Sequence, residues 1–311
     1  MFDRDFPGKG KSVGILGIPL GFAASTVGSE MGPQAIRQQQ LLTRIEELGY
    51  TVEDYGDVEI PKHDRIPEDG ENPRYLREMV IAADSVCTSL SKILNERNLP
   101  VVLGGDHSIA MASLSAVSNH FRRKEAEIGL LWFDAHADIN TPETSPSGNL
   151  HGMPLAVLFG HGAPELVNLC GFSPKLNPKF CAHIGARDLD LGEKRLIREL
   201  GLRCFTMNEI DRRGMNTCMN EAIAIASQAP AGFAVTFDVD VIDPLDAPGS
   251  GTLVRGGISY REAHLALEKV AENGALRSLE VVEVNPTLDT NNRTSEVAVE
   301  LILSALGKTI L

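Results

Sequence analysis

Four apolar runs in this chain end in acids or imidazoles. Residues 101–103 lead into Gly104-Gly105-Asp106-His107, and residues 130–133 into Asp134-Ala135-His136-Ala137-Asp138. Residues 234–237 lead into Asp238-Val239-Asp240 and then Asp243-Pro244, and residues 281–282 into Glu283-Val284-Asn285-Pro286. Asp134, His136 and Asp138 stand at alternate positions, so an extended chain would send all three side chains to one side. Asp238 and Asp240 repeat that spacing. With His107 the set holds two imidazoles and four carboxylates, which could not all stay ionised at close quarters without cations. Two divalent cations resolve the conflict, and an oxygen-rich set with some imidazole suits a hard ion such as Mn²⁺. Ions so held would activate a water for hydrolysis at neutral pH, with no protein nucleophile needed. No G-x-S-x-G elbow or Walker loop competes with this reading.

Each motif alone has a plainer explanation. Gly104-Gly105 could be a tight turn with His107 beside it, and acids after strands often cap helices. Their joint occurrence at four strand ends favours metal. His63, His120, His161, His183 and His264 receive no role.

The elements needed to position these residues are legible as alternating apolar runs and helical segments. Strand-length runs fall at Ser12–Ile18 and Leu276–Val282, and at residues 100–103, 128–133, 180–184, 202–205 and 231–237. Helices are expected over residues 33–48, 74–97, 108–120, 193–200, 215–226, 260–272 and 296–306, with Ser259 and Glu262 forming a capping box. Strands that are apolar throughout predict a mostly parallel sheet buried between helices, an α/β/α three-layer domain with ligands at the carboxyl ends of the strands. Residues 138–151 and 243–258 are long, specialised loops, and residues 63–73 a polar excursion. Nothing reads as an interdomain linker, so residues 1–311 are expected to form one domain.

The net charge of −13, from 42 acidic and 29 basic residues, excludes a surface built to track a nucleic-acid backbone. No stretch approaches the roughly 18 apolar residues of a membrane span, and residues 1–11 lack the apolar core of a leader. Five cysteines, an odd number with no C-x-x-C pair, read as reduced thiols and place the chain in the cytoplasm.

Together GGDHS, DAHAD, FDVDxxDP and EVNP, preceded by Gly28-Ser29-Glu30-Met31-Gly32-Pro33, resemble the ureohydrolases over nearly the whole chain. This family of binuclear manganese hydrolases includes arginases, agmatinases and formiminoglutamases. The resemblance implies two Mn²⁺ ions per subunit, one held by His107, Asp134, Asp138 and Asp238, the other by His136, Asp134, Asp238 and Asp240. Residues 140–152 are similar to the arginase substrate loop, which implies that Asn140, Ser145, Ser147 and Asn149 hold an α-carboxylate and that His151 moves a proton. By the same likeness Asp190 and Glu193 address the α-ammonium, Glu283 the guanidinium, and Thr252 lines the pocket, while Asp138 also stabilises the tetrahedral intermediate. The implied activity is hydrolysis of the small molecule L-arginine to L-ornithine and urea by a homo-oligomer, a trimer or hexamer. The alternatives are a hydrolase of another guanidino or formimino compound, a silent ligand-binding scaffold, or an amidohydrolase acting on acylated amines.

Overall fold

The computed structural model describes residues 12–61, 67–68 and 70–311. The expectations for residues 1–11, for His63 and for residues 63–66 and 69 of the 63–73 excursion fall outside them. The strands are β1 (Ser12–Ile18), β2 (Thr51–Asp57), β3 (Leu99–Gly104), β4 (Gly129–Phe133), β5 (Cys181–Ile184), β6 (Arg203–Phe205), β7 (Phe233–Asp238) and β8 (Leu276–Val282). They form one all-parallel sheet in the order β2-β1-β3-β8-β7-β4-β5-β6. The helices are α1 (Gly32–Gln38), α2 (Leu41–Glu46), α3 (Leu76–Asn95), α4 (Ala110–Arg122), α5 (Pro154–Leu158), α6 (Pro164–Val167), α7 (Leu191–Leu200), α8 (Met207–Arg213), α9 (Met215–Ala226), α10 (Tyr260–Asn273) and α11 (Arg293–Ala305).

Period-two alternation assigns each strand's side chains to two cores, as expected of a doubly covered parallel sheet. Leu131, Phe133, Val235 and Phe237 point to the face covered by α1, α2 and α8–α11. Leu130, Trp132 and Ala234 point to the opposite face, against α4, α5 and α7, where α3 and α6 complete the layer over β1 and β3. Phe133 and Phe237 stack with centroids 5.1 Å apart, both fully buried. Each ring stabilises the sheet by about 2–3 kcal/mol relative to exposure.

Two expectations need correction. The helix over residues 33–48 is two helices, broken where Gln40 adopts φ 61°. In one unbroken helix Leu41 would sit about 140° around the axis from Ile36; the break lets both bury completely in the same core. Strand β2 escapes a search for apolar runs because its sequence, TVEDYGD, is mostly exposed. It is an edge strand, and its charges discourage pairing with another chain. Its Asp54 takes two hydrogen bonds from Arg37 of α1. The short helices α5, α6 and α8 hold too few turns to show periodicity.

Candidate metal centre and active-site cleft

The four strands ending in acids or imidazoles are immediate neighbours, β3-β8-β7-β4, at the centre of the sheet. Their registers align Leu103 with Val281, Val281 with Phe237, and Phe237 with Phe133. Because all four run parallel, the residues that follow emerge side by side at one edge. Gly105 is required where β3 ends: its N–H donates to Ile18, its carbonyl accepts from Glu283, and a Cβ there would lie 1.8 Å from the Leu20 carbonyl oxygen.

The candidate ligands converge by a different local geometry from the extended one expected. After β4 the chain bends at once, and the Asp134 carboxylate accepts the His136 N–H at 2.7 Å. Asp138 then takes φ 50°, a left-handed conformation that aspartate tolerates better than most residues. After β7, Asp238 caps a single 3₁₀ turn by accepting the Asp240 N–H at 2.8 Å. Two Asx-type turns, rather than pleat alternation, bring the acids together. Glu283 also lies at positive φ, 63°, so two site residues hold strained backbone.

At the floor, the fully buried His107 places Nδ1 3.1 Å from Asp134, 3.1 Å from Asp138 and 3.3 Å from Asp238. Yet that nitrogen makes no hydrogen bond with acceptable geometry. One buried nitrogen facing three carboxylate oxygens around a common point is what a cation, rather than a proton, would satisfy. A second group shares Asp134: His136 Nδ1 lies 3.4 Å from Asp134 and 3.0 Å from Asp240. Potential ligand atoms within His107, Asp134 and Asp238, and within Asp134, His136 and Asp240, all lie within 4.8 Å of one another. The residues therefore fit metal.

Electrostatics point the same way. Burial and Asp134 push Asp138 up to about 8; burial, Asp240 and Asp134 push Asp238 well above the usual carboxylate range. Burial opposes charge on His107, but Asp134, Asp138 and Asp238 together outweigh it and hold the imidazole well above its ordinary value. The carboxylates cannot all be ionised beside one another, which is the conflict that cations relieve.

Surrounding groups orient these ligands. Trp132 donates from Nε1 to Asp134 at 3.1 Å and stacks on the His107 ring, centroids 4.2 Å apart. His107 Nε2 lies 2.9 Å from the Thr236 hydroxyl, and the buried Glu280 beyond it takes a hydrogen bond from Ser113. Asp240 accepts from the Ala135 N–H and the Thr252 hydroxyl. Arg187 donates to the carbonyls of Asp240, Val241 and Val254, tying the Asp240 turn to the 243–258 loop. Asp106 accepts from the Ala23 and Ser108 N–H groups, and burial with Glu283 nearby pushes it up to about 7. No role was assigned to Trp132, Thr236, Glu280, Arg187 or Asp106 from the sequence. Of these only Asp106 falls inside one of the sequence motifs, and its task depends on distant backbone.

Above the floor opens a cleft of about 170 Å³, lined by His136, Asp138, Asn140, Ser145, Ser147, His151, Asp190, Glu193, Asp238 and Thr252, with Asp188 between them. Asn140 donates to Asp190 at 2.9 Å. His151 Nδ1 lies 3.2 Å from Glu283, whose same oxygen accepts the His107 N–H. Burial resists charge on His151, but Glu283, Asp138 and Asp106 raise it to about 9. Glu193 lies in the wall with its oxygens accepting the Asp190 and Ile139 N–H groups, and burial lifts it to about 7. Asn149 turns its amide away, donating to Ser25 at 2.6 Å beside a neighbouring hollow.

The sequence model of a family described as "Arginase family" matches residues 11–307. The arginase of Bacillus subtilis strain 168 is 46% identical over 97% of this chain and 99% of its own length. That of Bacillus caldovelox is 44% identical over 97% of this chain and the whole of its own. A solved structure of Bacillus subtilis arginase superposes with a TM-score of 0.90 at 45% identity, covering 97% of this chain and 100% of that one. The shared sheet, the acids and imidazoles at its edge and similarity along nearly the full length lead to one conclusion: the chain belongs to the arginase family.

Proposed function

We propose that this protein hydrolyses L-arginine to L-ornithine and urea, using two Mn²⁺ ions per chain. The observation that carries the reading is a pair of imidazole–carboxylate clusters sharing Asp134, at the floor of a cleft small enough for one amino acid. His107, Asp134, Asp138 and Asp238 would hold one ion; His136, Asp134, Asp238 and Asp240 the other. When bound, the ions supply an activated water and neutralise the buried acids. Glu283 orients the planar guanidinium, which offers paired N–H donors to a carboxylate, and Asp138 stabilises the tetrahedral intermediate. Water adds to the guanidinium carbon, the bond to the side-chain nitrogen breaks, and His151 delivers a proton to the departing amine. Glu283 beside His151 favours its protonated form, as a donor requires.

Asp190 receives the α-ammonium, while Asn140, Ser145 and Ser147 serve the α-carboxylate, with Thr252 lining the pocket; Asn149, whose amide is turned to Ser25, is left out of that set. Glu193 acts on the ammonium through the Asp190 backbone that it holds. Agmatine has no α-carboxylate and would leave these donors unmatched. Urea release from L-arginine well above that from agmatine is the expected result, and equal rates on both would overturn the substrate assignment.

We further propose that residues 1–311 act as one domain, because strands drawn from residues 12 to 282 share one sheet, and that the protein works in the cytoplasm as a homo-oligomer. Exposed Val27, Leu245 and Leu288 are candidates for the subunit contact. No helix among the described residues is long and apolar enough to cross a membrane.

A further inference from the structure

Away from the cleft, two thiols 83 positions apart in sequence come together. Cys87, on α3, and Cys170, in the Leu169–Gly171 turn after α6, have sulfurs 3.4 Å apart. Both are half-buried, and both line an open hollow of about 640 Å³ that small molecules in solution can enter. Cys170 is held at φ 56°, a left-handed conformation uncommon for a residue with a Cβ. Lys175 stands behind the pair, its ammonium anchored by the carbonyls of Val167 and Phe172. The other cysteines have no such partner: Cys181 and Cys218 are buried, and Cys204 lies 3.8 Å from a ring nitrogen of His183.

We propose that Cys87 and Cys170 are a redox-active dithiol that a peroxide converts to a disulfide, stapling α3 to the segment after α6. The Cys170 thiolate attacks one peroxide oxygen, the O–O bond breaks, and hydroxide leaves, giving a sulfenic acid. The Cys87 sulfur then attacks the sulfenic sulfur; the S–O bond breaks and water departs with the Cys87 proton. In sum, two thiols and one hydrogen peroxide give one disulfide and two waters. Closing the bond requires the sulfurs to approach from 3.4 Å to about 2.05 Å. The division of labour follows from the surroundings. The hydrogen bond with Cys87, then Lys175, lowers the Cys170 thiol to about 7, and the same contact together with burial raises Cys87. Cys170 is therefore the attacking sulfur and Cys87 the resolving one.

The test treats the full-length, metal-loaded protein with a small excess of hydrogen peroxide and maps its peptides without reduction. The expected product is one cross-link between the peptides bearing Cys87 and Cys170, lighter by two hydrogens and reopened by dithiothreitol, with the thermal midpoint shifted up by a few degrees. Cys87→Ser should leave a sulfenic acid on Cys170 that dimedone traps; Cys170→Ser should lose both the cross-link and the dimedone adduct. Neither residue belongs to the metal cleft, so urea release by the reduced variants should match the wild type and report correct folding. Oxidation of Cys170 to sulfinic acid with Cys87 left free would overturn the proposal. So would oxidation of Cys204 as fast as Cys170, which would make exposure alone the cause.

Discussion

Replacing Thr236 by valine should weaken metal binding without touching a metal ligand. The Thr236 side chain is fully buried, and its hydroxyl is the 2.9 Å partner of His107 Nε2. With Nδ1 facing the three carboxylates, Nε2 carries the proton and donates to Thr236, which fixes both tautomer and ring orientation. Valine keeps the shape and removes the acceptor. A buried N–H left unpaired costs about 1–3 kcal/mol, and loss of such an orienting partner lowers metal affinity by about 10–100-fold. At about 1.4 kcal/mol per factor of ten, the two figures agree. Burial already pushes Glu280 up against the Thr236 and Ser113 hydroxyls, so losing one of them adds to the effect. The assay is competition for Mn²⁺ against a chelating dye, with circular dichroism to confirm folding. Thr236→Ser, which restores a hydroxyl, should recover most of the affinity. A valine variant that binds Mn²⁺ within twofold of wild type would refute the reasoning, as would a serine variant no better than valine.

Three further outcomes are expected. Gly105→Ala should destabilise the fold by more than about 3 kcal/mol in denaturant titration, because its Cβ meets the Leu20 carbonyl rather than a movable side chain; a loss below about 1 kcal/mol would contradict the close approach. His151→Asn should lower kcat by about 10²-fold or more while metal content, measured by mass spectrometry, stays unchanged; an undiminished rate across pH would remove His151 from the mechanism. The rate of Cys170 alkylation by iodoacetamide should rise with pH to a midpoint near 7, because the reactive thiolate is favoured there. That midpoint should move upward in Cys87→Ala, which removes the hydrogen-bond partner, and Cys204, pushed up to about 12 by burial, should show no plateau below it.

The gathering of acids and imidazoles at one edge was legible because a parallel sheet converts sequence into position: apolar runs such as residues 130–133 end at a common edge, so the acids after them gather there. Less legible was anything set by contacts between distant segments. The sheet order that makes β3, β8, β7 and β4 neighbours is not written in any one motif. Neither is the left-handed turn at Asp138, nor the break at Gln40, which tertiary burial of Leu41 decides. Strand β2 was hidden because an edge strand needs no apolar run. Glu193 shows the limit for polar residues: its type suits an ammonium, yet its oxygens hold the backbone at Asp190 and Ile139. The Cys87–Cys170 pair was invisible to spacing for the same reason, since the fold alone joins α3 to the turn after α6.

The most direct test of the central claim is to remove metal with a chelator, titrate Mn²⁺ back, and follow bound metal and urea release from L-arginine together. The account predicts no urea from the apoprotein, saturation at two ions per chain, and activity rising with occupancy. It also predicts that Asp134→Asn, which alters the carboxylate common to both clusters, retains neither full metal content nor turnover. Urea released by the metal-free protein, or full activity in Asp134→Asn, would contradict it.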